Sequence, residues 1–154
     1  MSHLASRQQP WLIGGLTLGL DQLTKLLITA RFSPGQTLPV LGPLVHLTYV
    51  QNTGAAFGLF KGQQLAFIGL SIAVVLWIGR EFLTKAPMPA DMLWGCAFVL
   101  GGALGNLIDR VRLGYVIDFI DLRVWPVFNV ADSAITVGVI LLLWHAMIGH
   151  RKAS

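Results

Sequence analysis

Four long apolar stretches constrain this chain more than any other feature of its sequence. They are residues 10–30, 65–83, 92–108 and 129–148. A helix rises about 1.5 Å per residue, so helices of these lengths reach across most or all of the roughly 30 Å hydrocarbon core of a bilayer. The composition agrees, because 55% of the residues are hydrophobic and only 12% are charged. We therefore predict an all-α membrane protein, with residues 1–154 forming a single domain that is a four-transmembrane-helix bundle.

The first stretch carries two charges, Asp21 and Lys25. An aspartate at the centre of a membrane helix costs roughly 2.5–3.5 kcal/mol on insertion scales. Lys25 lies four residues further on, on the same helix face, so the two side chains can pair. The pair either neutralises itself near the membrane surface or supports a site inside the bundle. These charges, and the lack of an Ala-x-Ala-like cleavage site, predict a retained helix rather than a cleaved signal peptide.

Acidic residues concentrate between the third and fourth stretches. Residues 105–133 hold four of the seven acids of the chain: Asp109, Asp118, Asp121 and Asp132. A carboxylate at a membrane boundary is costly to desolvate, which makes it a functional-site candidate. Two carboxylates that approach each other favour one ionised and one protonated form, as acid–base chemistry requires. Asp132 also follows Asn129 by three residues, so a helix-capping role is the structural alternative.

Other polar residues are placed to line such a site. Asn106, Asp109 and Arg110 fall on one helix face at positions i, i+3 and i+4. Asn52 offers a donor and an acceptor, and Gly54 belongs to a run of small residues that lets another backbone approach closely. These positions are candidates for substrate binding or support.

Two further patterns concern the architecture. Residues 44–51 are rich in β-branched and aromatic side chains, which predicts a short strand between the first two helices. We expect its edge to be exposed and able to pair with an extended peptide. The Gly101-x-x-x-Gly105 spacing predicts a close contact between helices.

Several functional classes find no support. One cysteine cannot form an internal disulfide, and the four histidines lack the spacing of zinc ligands. We therefore expect no metal and no cofactor. The net charge of +4 is spread over loops and chain ends, which favours anionic lipid headgroups over nucleic acid. Lysines and arginines divide evenly between the two sides of the predicted bundle, so charge bias does not set its orientation.

Five short blocks of residues, taken in order, resemble the lipoprotein signal peptidases, the signal peptidase II family of bacterial inner-membrane aspartyl peptidases. Each block is weakly specific alone, but five in the same order with matching spacing are highly specific. The blocks are Asp21-x-x-x-Lys25, Asn52-x-Gly54-x-Ala56-Phe57, Gly105-Asn106-x-Ile108-Asp109-Arg110, Val116-Ile117-Asp118-Phe119 and Phe128-Asn129-x-Ala131-Asp132-Ser133.

The resemblance implies that Asp118 and Asp132 are the two catalytic aspartates. It implies site-lining or supporting roles for Asn52, Gly54, Asn106, Asp109, Arg110, Asn129, Asp21 and Lys25. It further implies four membrane helices, both termini in the cytoplasm, and a small β-cradle with the active site on the outer side. The implied substrates are prolipoproteins whose lipobox cysteine carries a diacylglyceryl group, cut just before that cysteine. We expect a monomer whose partners are this substrate and membrane lipid.

Two alternatives from other classes stay open. An ion-coupled transporter subunit also places carboxylates in a helix bundle, although its charges should lie near the membrane midplane. A non-enzymatic membrane assembly factor explains the spans and the glycines, but it has no need of two aspartates beside Asn106, Arg110 and Asn129. The sequence also leaves open which aspartate carries the proton, because a coupled pair titrates as a unit.

Overall fold

The computed structural model describes residues 8–54, 63–84 and 88–151. Within these ranges the chain forms four helices and three strands. In chain order they are α1 (Gln9–Arg31), β1 (Thr37–Leu41), β2 (Val45–Asn52), α2 (Gln64–Leu83), α3 (Ala90–Leu113), β3 (Val116–Asp121) and α4 (Val130–Arg151). Ala56 and Phe57 of the second block lie outside the described residues.

Three of the described helices are long and apolar enough to cross a membrane: α2, α3 and α4. Helix α1 is also long enough, with 23 residues, but Asp21, Gln22 and Lys25 lower its hydropathy. A helical protein with three candidate membrane helices and a small sheet is therefore confirmed, whereas the crossing by α1 stays a prediction. Helix α3 runs past the predicted end at residue 108 to Leu113, where Gly114 ends it in the left-handed conformation with φ of +84°.

Helix α3 is the centre of the bundle, because α1, α2 and α4 all pack against it. Its glycines allow this, as the Gly101-x-x-x-Gly105 spacing predicted. A methyl group on Gly101 would lie 2.6 Å from the carbonyl oxygen of Gly14 in α1, and one on Gly105 would meet the Asp21 carboxylate. On the opposite side, a methyl group on Gly102 would lie 2.5 Å from the carbonyl oxygen of Ala131 in α4. The close approach of these backbones brings α1 and α4 directly against α3.

The three strands form one antiparallel sheet in the order β1-β2-β3. The strand expected at residues 44–51 is confirmed as β2. Its predicted free edge is wrong, since Leu47 pairs with Leu38 on one side and with Ile120 on the other. Strands β1 and β3 were not predicted, and they occupy both edges of β2. Pro39 in β1 is tolerated because that strand is at the edge of the sheet.

Candidate active site

Strand β3 and helix α4 bring the two predicted catalytic aspartates to one cavity of about 320 Å³. Asp118 lies within β3, where it pairs with Val50 of β2 and is almost fully buried. Asp132 lies in the first turn of α4. Four more of the predicted site residues line the same cavity: Asn52, Gly54, Asn106 and Arg110. The structure therefore gathers residues from five separate elements and loops around the aspartate pair.

Asn129 connects the two aspartates. Its side-chain Nδ2 donates to Asp118 Oδ1 at 2.7 Å, and its backbone N–H donates to Asp132 Oδ2 at 3.2 Å. In return, the backbone N–H of Asp132 donates to Asn129 Oδ1 at 2.9 Å. The helix cap predicted from the Asn129–Asp132 spacing is thus present. It does not compete with a site role, because the cap fixes the Asp132 carboxylate at the cavity.

Two further amides hold the carboxylates. Asn52 Nδ2 donates to Asp118 Oδ2 at 2.8 Å, and Asn106 Nδ2 donates to Asp132 Oδ1 at 2.8 Å. Each amide has a fixed orientation, because its oxygen accepts from a group that can only donate. The Gly54 backbone N–H donates to Asn52 Oδ1 at 2.9 Å, and the Lys25 ammonium donates to Asn106 Oδ1 at 3.0 Å. All four carboxylate oxygens of the pair therefore accept an N–H.

The two acids of β3 have opposite electrostatic environments. The pKa of Asp118 is raised to about 7, mainly by burial and also by the nearby negative charge of Asp132. The hydrogen bonds from Asn52 and Asn129 oppose this rise. Burial also acts to raise the pKa of Asp121, but the Thr48 hydroxyl, which donates at 2.7 Å, and Arg123 lower it overall. Of the two, Asp118 is the acid that can carry a proton near neutral pH.

A buried ion cluster lies directly behind the aspartate pair. Lys25 Nζ lies 2.9 Å from Asp21 Oδ2, which confirms the predicted pair, and 2.8 Å from Asp109 Oδ2. The two carboxylates bind backbone beside the catalytic candidates. Asp21 accepts the N–H of Ala131 at 2.9 Å, and Asp109 accepts the N–H of Ile117 at 3.1 Å. The charges of α1 therefore lie buried in the bundle beside the aspartate pair, and their supporting role stays a prediction.

The sequence analysis missed three residues that organise this region. Gln22 Nε2 lies 3.2 Å from Asp109 Oδ1 and from the carbonyl oxygen of Gly105. Gln64 Nε2 donates to the carbonyl oxygen of Arg110 at 2.8 Å, and the Arg110 guanidinium lies 5.1 Å from the centre of the Phe67 ring. A polar amide within an apolar stretch is a detectable signal for Gln22. Gln64 and Phe67 give none, since both are ordinary residues for the start of a membrane helix.

Substitution of Lys25 tests how strongly the charges of the ion cluster depend on one another. We expect Lys25→Met to reduce the free energy of unfolding by about 3–5 kcal/mol, because two buried carboxylates lose their counter-charge. Adding Asp21→Asn should restore part of this loss. Unfolding in a mild detergent measures both effects, and Arg112→Met, at an exposed position of α3, serves as the control. A double variant as unstable as the sum of the single variants would contradict the coupling.

Known proteins resemble this chain over most of its length. The family model described as signal peptidase (SPase) II matches residues 13–148. A lipoprotein signal peptidase of Moorella thermoacetica is 48% identical over 137 residues, which are 89% of this chain and 91% of the relative. One from Halothermothrix orenii is 42% identical over 124 residues, covering 80% of this chain and 85% of the relative.

Two solved structures share the whole architecture. One, described as a bacterial membrane enzyme, has a TM-score of 0.91 and 30% identity, and the match covers 100% of this chain and 96% of the other. A second bacterial membrane enzyme has a TM-score of 0.83 and 32% identity, with coverage of 95% and 97%. The family match over residues 13–148 and the identity of these relatives lead to one conclusion: the chain belongs to the signal peptidase II family.

Proposed function

We propose that this chain removes the signal peptide from prolipoproteins whose lipobox cysteine already carries a diacylglyceryl group, by hydrolysing the peptide bond before that cysteine. The observation that carries the proposal is the pair of aspartates at one cavity, Asp118 buried and Asp132 partly buried, joined by Asn129. Family membership agrees with this activity and does not favour a transporter subunit or an assembly factor.

The two aspartates have complementary roles in this reaction. Asp132 lies at the start of α4, where the helix dipole and two N–H donors favour the carboxylate. It takes a proton from the water that attacks the scissile carbonyl carbon. Asp118 holds the other proton and donates it to the carbonyl oxygen. When the tetrahedral intermediate collapses, the carbon–nitrogen bond breaks and a proton passes to the leaving amine of the lipidated cysteine. No metal or cofactor is required.

Two adjoining cavities give this substrate a place to bind. The cavity at the aspartates is lined on its apolar side by Phe67, Val116 and Ile135, which suits the side chains of the signal peptide. A second cavity of about 430 Å³ runs along α4 and shares four lining residues with the first, namely Trp125, Phe128, Asp132 and Thr136. Its wall includes Leu122, Trp125, Phe128 and Val137. We assign the acyl chains of the diacylglyceryl group to this second cavity.

The distribution of side chains on α1 supports a fourth membrane span. Asp21 and Lys25 are almost fully buried and face α3. Five leucines on the other faces of α1 are more than half exposed, namely Leu12, Leu16, Leu20, Leu23 and Leu26. This is the pattern of a helix whose polar groups face the bundle and whose apolar groups face lipid. We therefore propose one peptidase domain, residues 1–154, with four transmembrane helices.

Four spans place both termini on one side of the membrane. The aspartates lie near the end of α1 and the start of α4, which is the opposite side from those termini. We place the chain in the bacterial inner membrane, with the termini in the cytoplasm and the sheet and active site at the outer surface. Because one chain supplies every group around the aspartates, we propose that it acts as a monomer.

The direct test is to incubate the purified protein in detergent with a diacylglyceryl-modified precursor and to detect the released signal peptide by mass spectrometry. We expect one cut, immediately before the modified cysteine. A precursor in which serine replaces the lipobox cysteine is the control and should stay intact. An intact lipidated precursor in the presence of folded protein, or a cut elsewhere, would contradict the proposal.

The raised pKa of Asp118 predicts how cleavage depends on pH. With Asp118 protonated and Asp132 ionised in the active form, kcat should fall as the pH rises through about 7, and it should also fall at low pH once Asp132 takes up a proton. Burial also makes the ionised form of Asp118 unfavourable in the folded state. The stability that this group contributes is therefore complete below its unfolded pKa of about 3.9 and is lost as the pH rises through about 7.

Asp118→Asn provides the control for the stability part of this prediction. This variant should lose the part of the pH dependence of unfolding between about pH 4 and pH 7 that Asp118 contributes. Cleavage by the unaltered chain that stays constant up to pH 9 would contradict the assignment of the proton to Asp118.

A further inference from the structure

A groove of about 500 Å³ lies between α1 and α2, away from the aspartates. Both helices pack on α3, which forms its floor with Leu100 and Leu104. At one end the Trp11 and Phe82 rings meet edge to face, with centroids 5.3 Å apart. On α1 the groove runs from Trp11 to Leu18, which is about 10 Å of helix. It is therefore short enough to lie within one leaflet, the one on the side of the chain termini.

Two glycines keep this groove open. Gly15 and Gly79 line it, and a methyl group added to either would meet no atom within 4 Å. They differ in this from Gly101 and Gly102, which allow helices to touch. A glycine inside a helix costs about 1 kcal/mol relative to alanine, and among the described residues no close helix contact at Gly15 or Gly79 offsets that cost. The space that they leave can be filled by a narrow, flexible apolar group.

The rim of the groove carries a positive charge. Arg80 lines the groove at the end marked by Trp11 and Leu83, and its side chain is 77% exposed. Its partner, Glu81, lies 3.7 Å away, and an exposed pair of this kind holds an arginine only weakly. The guanidinium can therefore turn to a phosphate, whose oxygens match its donors in geometry.

From these features we propose that the groove binds one anionic glycerophospholipid from the leaflet on the side of the chain termini. One acyl chain lies between α1 and α2 beside Gly15 and Gly79, and the phosphate lies on Arg80. The bound chain connects two helices that otherwise meet mainly through α3. This site is separate from the proposed catalytic function and does not depend on it.

The experiment is native mass spectrometry of the full chain in a neutral detergent, titrated with phosphatidylglycerol or with phosphatidylcholine of identical acyl chains. We expect one saturable phosphatidylglycerol, bound about fivefold more tightly than phosphatidylcholine, as one arginine near an anionic headgroup allows. Arg80→Gln should remove the difference between the lipids. Gly15→Leu should weaken both, because the leucine side chain fills the groove.

Two variants serve as matched controls. Gly19→Leu places the same side chain on α1 at a glycine that also has open space but does not line the groove. Arg112→Gln removes an exposed charge at the other end of α3. Both should bind lipid like the unaltered chain, and thermal unfolding verifies that each variant is folded.

Several results would overturn the proposal. These are equal affinity of the unaltered chain for the two lipids, an equal loss of phosphatidylglycerol affinity in Arg112→Gln and Arg80→Gln, and unchanged lipid affinity in Gly15→Leu. A detergent-solubilised dimer that Gly15→Leu separates would assign the groove to a second copy of the chain instead.

Discussion

Asp118→Asn and Asp132→Asn are each expected to lower kcat for prolipoprotein cleavage by about 10⁴-fold or more, while the chain stays folded. Each substitution keeps the size of the side chain and removes the group that carries a proton or accepts one. In the unaltered chain both oxygens of Asp118 accept N–H groups, from Asn129 and Asn52. The new amide of Asp118→Asn must place its own donors against one of these, so we also expect a modest loss of stability.

Asp121→Asn is the matched control for this experiment. Asp121 belongs to the same strand as Asp118 and is also buried, but its carboxylate binds Thr48 and the backbone of Arg123 outside the catalytic cavity. This variant should retain kcat within a few-fold. Size-exclusion chromatography and thermal unfolding establish that all three variants are folded. Near-normal turnover by either of the first two would show that the aspartate pair is not the catalytic centre.

Local patterns in the sequence predicted all four described helices, because the length and apolar composition of a stretch depend on no other part of the chain. The ion pair of Asp21 and Lys25 was predictable for the same reason, since four residues within one helix fix their separation. The cap at Asn129 and Asp132 followed from an equally local spacing. The short distances in these cases come from helix geometry alone.

The sheet was harder to predict because its strands stabilise each other. Strand β1 contains Pro39 and is bounded by Gly42 and Pro43, so its sequence is typical of a turn. It forms a strand because β2 supplies its partners. Strand β3 was not predicted, although its pairing with β2 is what places Asn52 near Asp118. Strand pairing depends on residues far apart in the chain, and no local pattern encodes it.

The orientation of the amides around the aspartates could not be predicted from the sequence either. Asn106 was a candidate, but its effect depends on Lys25 from α1 holding its oxygen, so that its nitrogen faces Asp132. That contact joins residues 81 positions apart. The blocks that resemble the family identified the participants, whereas the hydrogen bonds between them required the packing of α1 on α3.

A precursor without its diacylglyceryl group is expected to be cleaved with a kcat/KM about 10³-fold lower than that of the matched lipidated precursor in the same micelles. The lipid takes no part in bond breaking. Each buried methylene contributes about 0.8 kcal/mol, so a few methylenes within the cavity along α4 are enough to account for this ratio. Strand β2 cannot anchor the substrate by pairing with an extended peptide, since β1 and β3 occupy both of its edges. On this prediction the acyl chains are the main element that holds the scissile bond at the aspartates.

The cavity along α4 offers a direct check of this anchoring. Val137→Trp should fill part of the cavity wall and lower kcat/KM for the lipidated precursor about tenfold or more, mainly through KM. Val139→Trp adds the same side chain at a similarly exposed position of α4 that does not line the cavity, and it should leave kcat/KM unchanged. Equal kcat/KM for the lipidated and unlipidated precursors would show that the lipid neither anchors nor selects the substrate. Because Asp118 and Asp132 require only a peptide bond and a water molecule, the chain would then be a general membrane aspartyl peptidase whose substrates are selected by their peptide sequence alone.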